Sequence, residues 1–150
     1  MKRLFYILLS GLMVAACASV ASADKPGKHP HYLHALSDLR DARAHLDYLA
    51  GSEKRDAEEE AAIRQIDDAI KVIKAASIDD GKDLNDHPPI DTKLKRTGRY
   101  HKAMELLNAA HKDVTMEEDT PQSQGLQGRV IEHVDKAHTI VAGLLKKYGK

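Results

Sequence analysis

Displaced by 68 positions, the chain falls back on itself. Tyr32 meets Tyr100, Ala35 meets Ala103, Leu39 meets Leu107 and Ala42 meets Ala110. The same displacement carries Ile63 to Ile131, Ile66 to Val134, Asp67 to Asp135, Ala69 to Ala137 and Ile73 to Val141, and it brings the cap candidates Ser52 and Thr120 together. Any amphipathic helix slides onto another at some register. Two helices and the turn between them agreeing at one displacement is a far tighter constraint, and it predicts a repeated αα-hairpin.

Each hairpin reads as two amphipathic helices. The first helix runs from about Pro30 to Ala50, with Tyr32, Ala35, Leu36, Leu39, Ala42, Leu46 and Leu49 spaced by threes and fours along one face. Pro30 suits a first turn and Gly51 a C-terminal stop. A second helix, about Glu53 to Ala76, carries Ile63, Ile66, Ala69, Ile70, Ile73 and Ala76. The third, about Gly98 to Glu118, carries Tyr100, Ala103, Met104, Leu107, Ala110 and Val114. The fourth, about Pro121 to Lys147, carries Leu126, Val130, Val134, Ala137, Val141 and Leu144, with Thr120 and Pro121 as cap and first-turn residue. The expected fold is all-α: an antiparallel four-helix bundle of two duplicated hairpins, residues 30–76 and 98–147. A connection over 77–97 joins them. It is longer than bundle links usually are, which marks it as a functional or disordered segment. The chain has no Trp, and its one Phe lies at position 5. The core must therefore come from Leu, Ile, Val and Ala with a few Tyr and Met.

Residues 1–23 read as a secretory leader, which leaves 24–150 as a single domain. Lys2 and Arg3 form a basic start, Leu4 to Ala16 an apolar run too short to span a bilayer, and Ala21-Ser22-Ala23 a small-residue exit. The expected destination is the periplasm or the exterior. A second cleavage reading competes: Val14-Ala15-Ala16-Cys17 has the form of a lipobox, in which Cys17 is acylated and the protein is anchored at the outer membrane. That anchor is the one membrane attachment the sequence offers. Cys17 is the single cysteine, and on either reading it is acylated or removed with the leader, so disulfides, a CxxC redox site, thiolate-bound zinc, covalent c-type haem and a cysteine nucleophile are all excluded.

Two stretches carry a resemblance. His29-Pro30-His31-Tyr32-Leu33-His34-Ala35-Leu36-Ser37-Asp38-Leu39-Arg40 and Ile78-Asp79-Asp80-Gly81-Lys82-Asp83-Leu84-Asn85-Asp86-His87-Pro88-Pro89 resemble the two signature stretches of a family of exported bacterial helical proteins without an assigned function. The resemblance implies export and a helical fold, and it implies no activity. On composition and architecture the chain is also loosely similar to small His-rich periplasmic metal-binding proteins, although it lacks their regular His-rich repeats.

Charge narrows the function classes. The chain has 23 basic and 23 acidic residues, and loss of Lys2 and Arg3 leaves a slight acidic surplus. A nucleic-acid partner wants the opposite balance. No serine sits in a nucleophile elbow and no glycine-rich loop could cradle a phosphate. Glu58-Glu59-Glu60 reads as an acidic first turn favoured by the helix dipole.

Histidine is the unusual component, with nine residues, all beyond position 23. Without thiolates, a metal site here would use imidazole and carboxylate, which suit zinc, copper or nickel. His34, Asp38, Asp41 and His45 fall within roughly 60° of one another around the first helix. Beside the apolar stripe, they form either half of a metal site or a solvated polar face. His29 and His31 join His34 in a second cluster. Asp135-x-x-His138 matches half of a di-iron bundle motif, but the repeat puts Ile70 where the second His is needed. His111 and His138 lie near the edges of their apolar faces, where a haem-ligand role competes with simple hydrogen bonding. The acidic connection lacks the residue order of a calcium loop. The reading that follows is a non-enzymatic exported bundle that binds a metal ion or small ligand. The alternative is an envelope interaction protein that docks on a protein partner without a cofactor.

Overall fold

A computed structural model describes residues 29–76, 78–117 and 125–149. The stretch expected to be a leader, with Cys17, and the Thr120-Pro121 pair lie outside the described residues. Four helices form: α1 (Pro30–Asp47), α2 (Ala57–Ala75), α3 (Arg96–Met116) and α4 (Leu126–Tyr148). Their apolar faces are those the spacing predicts. Tyr32, Leu36, Leu39, Ile66, Ile73, Tyr100, Leu107, Val114, Val130, Val141 and Leu144 are all buried in one core. Ala76 and Met104 pack at its edge, whereas Leu49 lies beyond the end of α1 and is only partly buried.

The helix ends differ from expectation for local reasons. α1 stops at Asp47, three residues early, because Tyr48 turns to extended backbone. Arg55 Nη2 then donates to the freed Asp47 carbonyl at 2.8 Å. Ser52 is not the cap of α2. The segment after Gly51 stays a turn, in which the Glu53 carboxylate accepts from the Ala50 amide at 3.1 Å. α2 starts at Ala57 behind a capping box: Asp56 accepts from the Glu58 amide at 3.0 Å, and Glu59 accepts from the Asp56 amide at 2.7 Å. α3 begins two residues early at Arg96, and α4 begins at Leu126.

Each helix packs on two neighbours: α1 on α2 and α3, and α4 on α2 and α3. The start of α1 lies beside the end of α3, where His29 contacts Glu117. The end of α4 lies beside the start of α2, where Lys147 contacts Asp56. All neighbouring pairs are therefore antiparallel, and α2 and α3 run in the same direction across the diagonal. This direction explains the long connection. Residues 76–95 must return along the bundle before α3 can begin, a one-crossover topology. Over residues 78–95 the connection follows a hydrogen-bonded course against the bundle. Ile78 enters the core, and Arg40, only 1% exposed, donates from Nε to the Asp86 carbonyl at 3.1 Å and through both Nη atoms to the Asp80 carboxylate. The Asp79, Asp83 and Asp91 carboxylates accept from amides two residues on, closing turns.

The repeat is visible in the contacts. Arg43–Asp67, at 2.7 Å, and its displaced counterpart His111–Asp135, at 3.6 Å, pair equivalent positions in the two hairpins. Gln65 and His133, 68 positions apart, touch each other at 3.0 Å. A residue in contact with its own counterpart marks a two-fold axis, as in an isologous dimer interface. α1 thus packs on its counterpart α3, and α2 on its counterpart α4. Among the described residues no helix is long and apolar enough to cross a membrane.

Candidate functional site

The polar stripe of α1 meets α3. Near the start of α1 the facing residues are Asp113 and Glu117. Further along they are Lys102 and Arg99. The stripe is thus the lining of a seam between the two hairpins, with His34 exposed at its rim, Asp38 and Asp41 half-buried, and His45 buried.

Asp38 is the electrostatic centre of the seam. Burial pushes its carboxyl up to about 6; the Asp113 and Asp41 carboxylates push the same way, and His34 and Lys102 only partly offset them. The folded value lies above the ordinary one near 4. Ionisation of Asp38 therefore costs stability: the cost is absent below about pH 4 and grows as pH rises through 6. Asp38→Asn is expected to stabilise the fold by about 1 kcal/mol at pH 8, after allowance for solvent screening, and to give no gain at pH 4. Urea unfolding at both pH values checks this, and an equal effect at the two contradicts it.

His45 is 5% exposed, and its Nδ1 is buried with no hydrogen-bond partner. Its Nε2 stands 3.6 Å from Asp41 Oδ1, beyond hydrogen-bond reach. Burial lowers its pKa against the pull of Asp41, and Lys102, His87 and Arg99 add to the lowering. The ring therefore stays neutral at pH 7, which is the ligating form of imidazole.

At the start of α1, Glu117 serves two groups. Its Oε1 lies 2.9 Å from His29 Nδ1, and its Oε2 accepts from the His31 amide at 3.1 Å. Pro30 occupies the first helical position and has no amide, so Glu117 caps the first available donor and places a negative charge at the helix N-terminus. His29 itself takes a left-handed backbone, φ 67°, which is uncommon outside glycine. His31 Nδ1 stands 3.5 Å from Asp113 Oδ1, and it too is buried without a hydrogen-bond partner. Among the described residues, no three His, Asp or Glu side chains already converge as a metal cage.

Other candidates lie away from the seam; of these, His138 is half-buried on α4. His111 pairs with Asp135 on the surface, and His87 Nδ1 lies 2.8 Å from the Pro88 carbonyl. Ile70 is in the core. An open groove of about 520 Å³ borders the start of α3 and is lined by Lys93, Lys95, Arg96 and Arg99, but both arginines are already paired, with Glu59 and Glu53. Glu59 is 1% exposed and takes Arg96 in a two-pronged bond. Burial raises its pKa, but hydrogen bonds from Arg96, the Asp56 amide and Tyr100 outweigh burial and hold it below the ordinary value. The network is closed and structural.

Comparison with known protein families, curated proteins and solved structures finds no match to this chain.

The sequence pattern located the α1 residues of the seam and missed those on α3: Lys102, Asp113 and Glu117. They carry no motif. The repeat holds a partial signal, because a two-fold that packs α1 antiparallel on its counterpart brings the end of α3 to the start of α1.

Proposed function

We propose that this chain is an exported, non-enzymatic helical bundle that binds a divalent metal ion in the cell envelope through the seam between α1 and α3. One observation carries the reading. Asp38, Asp41 and Asp113 crowd one half-buried seam faced by Lys102 and, further along, by Arg99, which is already paired with Glu53, so the seam holds more negative charge than the protein balances. A divalent cation supplies the missing charge, and imidazole stands beside the carboxylates, with His31 Nδ1 3.5 Å from Asp113 Oδ1 and His45 Nε2 3.6 Å from Asp41 Oδ1. With imidazole and carboxylate as donors, zinc, copper and nickel are the ions that fit.

The docking alternative wants a contiguous exposed apolar patch. Among the described residues Met116 is the one large hydrophobic side chain left exposed, so the metal reading is favoured. Native mass spectrometry of the untagged protein isolated from its own cell envelope tests it. A stoichiometric mass excess of one metal ion is expected.

A further inference from the structure

We propose that the groove where the start of α3 meets the end of α1 is an anion site that takes a dianionic phosphate, free or as the monoester of a small molecule or lipid headgroup. The groove lies at the far end of the α1–α3 seam from Glu117, and its chemistry does not depend on a metal ion.

The donors are backbone amides and two free lysines. α3 starts at Arg96 with no acidic residue in its first turn and no cap from the Lys95 side chain. Its first intrahelical bond runs from the Arg99 amide to the Lys95 carbonyl at 3.0 Å. The amides of Arg96, Thr97 and Gly98 precede that bond, and among the described residues none of them meets an acceptor. They stand at the positive end of the helix dipole, beside a groove of about 520 Å³ that residues 92–97 line. Lys93 and Lys95 line it too. Both are exposed, and among the described residues neither has a carboxylate partner.

Arg99 supplies an independent indication. It lines the groove but is only 1% exposed. Its Nη1 donates to the Leu94 carbonyl at 3.0 Å and its Nη2 to Glu53, while its Nε is buried without a hydrogen-bond partner. A buried donor without an acceptor is costly, and an anion in the groove would provide one. Glu53, the acidic residue of the lining, is committed to Arg99, and Arg96 is committed to Glu59. With those pairs cancelled, Lys93 and Lys95 leave two positive charges, which a dianion matches. Phosphate also offers several strong acceptor oxygens to the amides.

The internal two-fold shows what this end of the seam lacks. At the start of α1, Glu117 reaches over from the end of α3 and accepts from the His31 amide at 3.1 Å. The counterpart of Glu117 at the end of α1 is Leu49, which accepts nothing. The chain places its own anion at one of the two related helix starts and leaves the other to a ligand.

The test is calorimetric titration of inorganic phosphate into the untagged full chain, with chelator present and salt at about 0.15 M, where remote charges are screened. A second arm measures cosedimentation with vesicles of phosphatidylcholine with and without phosphatidic acid. The parent is compared with Lys93→Ala plus Lys95→Ala and with a charge-matched control, Lys71→Ala plus Lys112→Ala; all four lysines are exposed, and circular dichroism verifies each fold. One phosphate per chain is expected. Affinity should fall about tenfold or more in the groove pair, the cost of one hydrogen bond to a charged group, and change little in the control. Uptake of inorganic phosphate identifies a free or small-molecule source. Binding only to the phosphatidic acid vesicles, lost in the groove pair alone, identifies a lipid headgroup. Binding of neither probe, or a loss in the groove pair no larger than in the control, would overturn the site.

Discussion

Glu59→Ala is expected to destabilise the bundle by about 3 kcal/mol, the low end of the range for breaking a buried ion pair. Glu59 is almost fully buried, and its carboxylate accepts from Arg96 Nε at 3.0 Å, Arg96 Nη2 at 2.6 Å, Tyr100 Oη at 2.6 Å and the Asp56 amide at 2.7 Å. Its truncation takes the carboxylate from a partly buried guanidinium and a buried phenol, which keep their mutual Arg96 Nε to Tyr100 Oη bond at 2.7 Å, and it also removes half of the α2 capping box. Arg96 keeps the Lys54 carbonyl at 2.7 Å and its stacking on the Tyr148 ring at 4.7 Å. These remaining contacts, with partial exposure of Arg96, set the estimate at the low end. Because the Glu59 pKa is depressed on folding, its contribution is present above the ordinary carboxylate value near 4.3 and is lost as pH falls below it. Urea unfolding at pH 7 measures the effect. A change under about 1 kcal/mol, the size of an ordinary hydrogen bond, would mean that the network carries little of the fold.

Arg40→Leu is the second large effect, about 2–3 kcal/mol, with a distinctive local signature. The side chain is buried beneath the 78–95 connection and is its main polar anchor, through the Asp86 carbonyl and the Asp80 carboxylate. Leucine fills part of the volume and makes neither bond. The connection should loosen from α1 before the helices separate, because its remaining ties are Ile78 and the partly buried Leu84 on the core and Lys74 of α2, and none of these bonds it to α1. Limited proteolysis should therefore cut within residues 79–94 several-fold faster in the variant. An unchanged cleavage rate there would show that the strap is held by something other than Arg40. The repeat supports the assignment: the counterpart of Arg40 is Asn108, an exposed residue in the hairpin that has no crossover to hold.

Much of the fold was legible because burial here follows simple spacing. The apolar residues of α2 and α4 recur by threes and fours without interruption, and every one assigned to the core of α4 is buried. The 68-residue displacement, read from side-chain identity, reappears as paired contacts at Arg43–Asp67 and His111–Asp135. Polar residues on apolar faces were harder. Nothing in the spacing of α1 says that Arg40 is buried while Arg43 is not, since that depends on which helix flank the crossover covers. Glu59 was readable in part: Asp56-x-x-Glu59 is a capping-box pattern, but the acidic run around it reads simply as a first turn favoured by the helix dipole. The seam shows the same division. Its α1 half is a helical stripe visible in one segment of sequence. Its α3 half depends on the antiparallel approach of two segments far apart in sequence, 88 residues in the case of His29 and Glu117.

The central claim is that the seam binds a metal ion. Native mass spectrometry of the untagged protein from its own cell envelope, repeated after addition of low-micromolar zinc and copper, tests it most directly. The account predicts one divalent ion per chain, retained on isolation or taken up on addition. A bare polypeptide mass under both conditions would contradict it and turn attention to a protein partner.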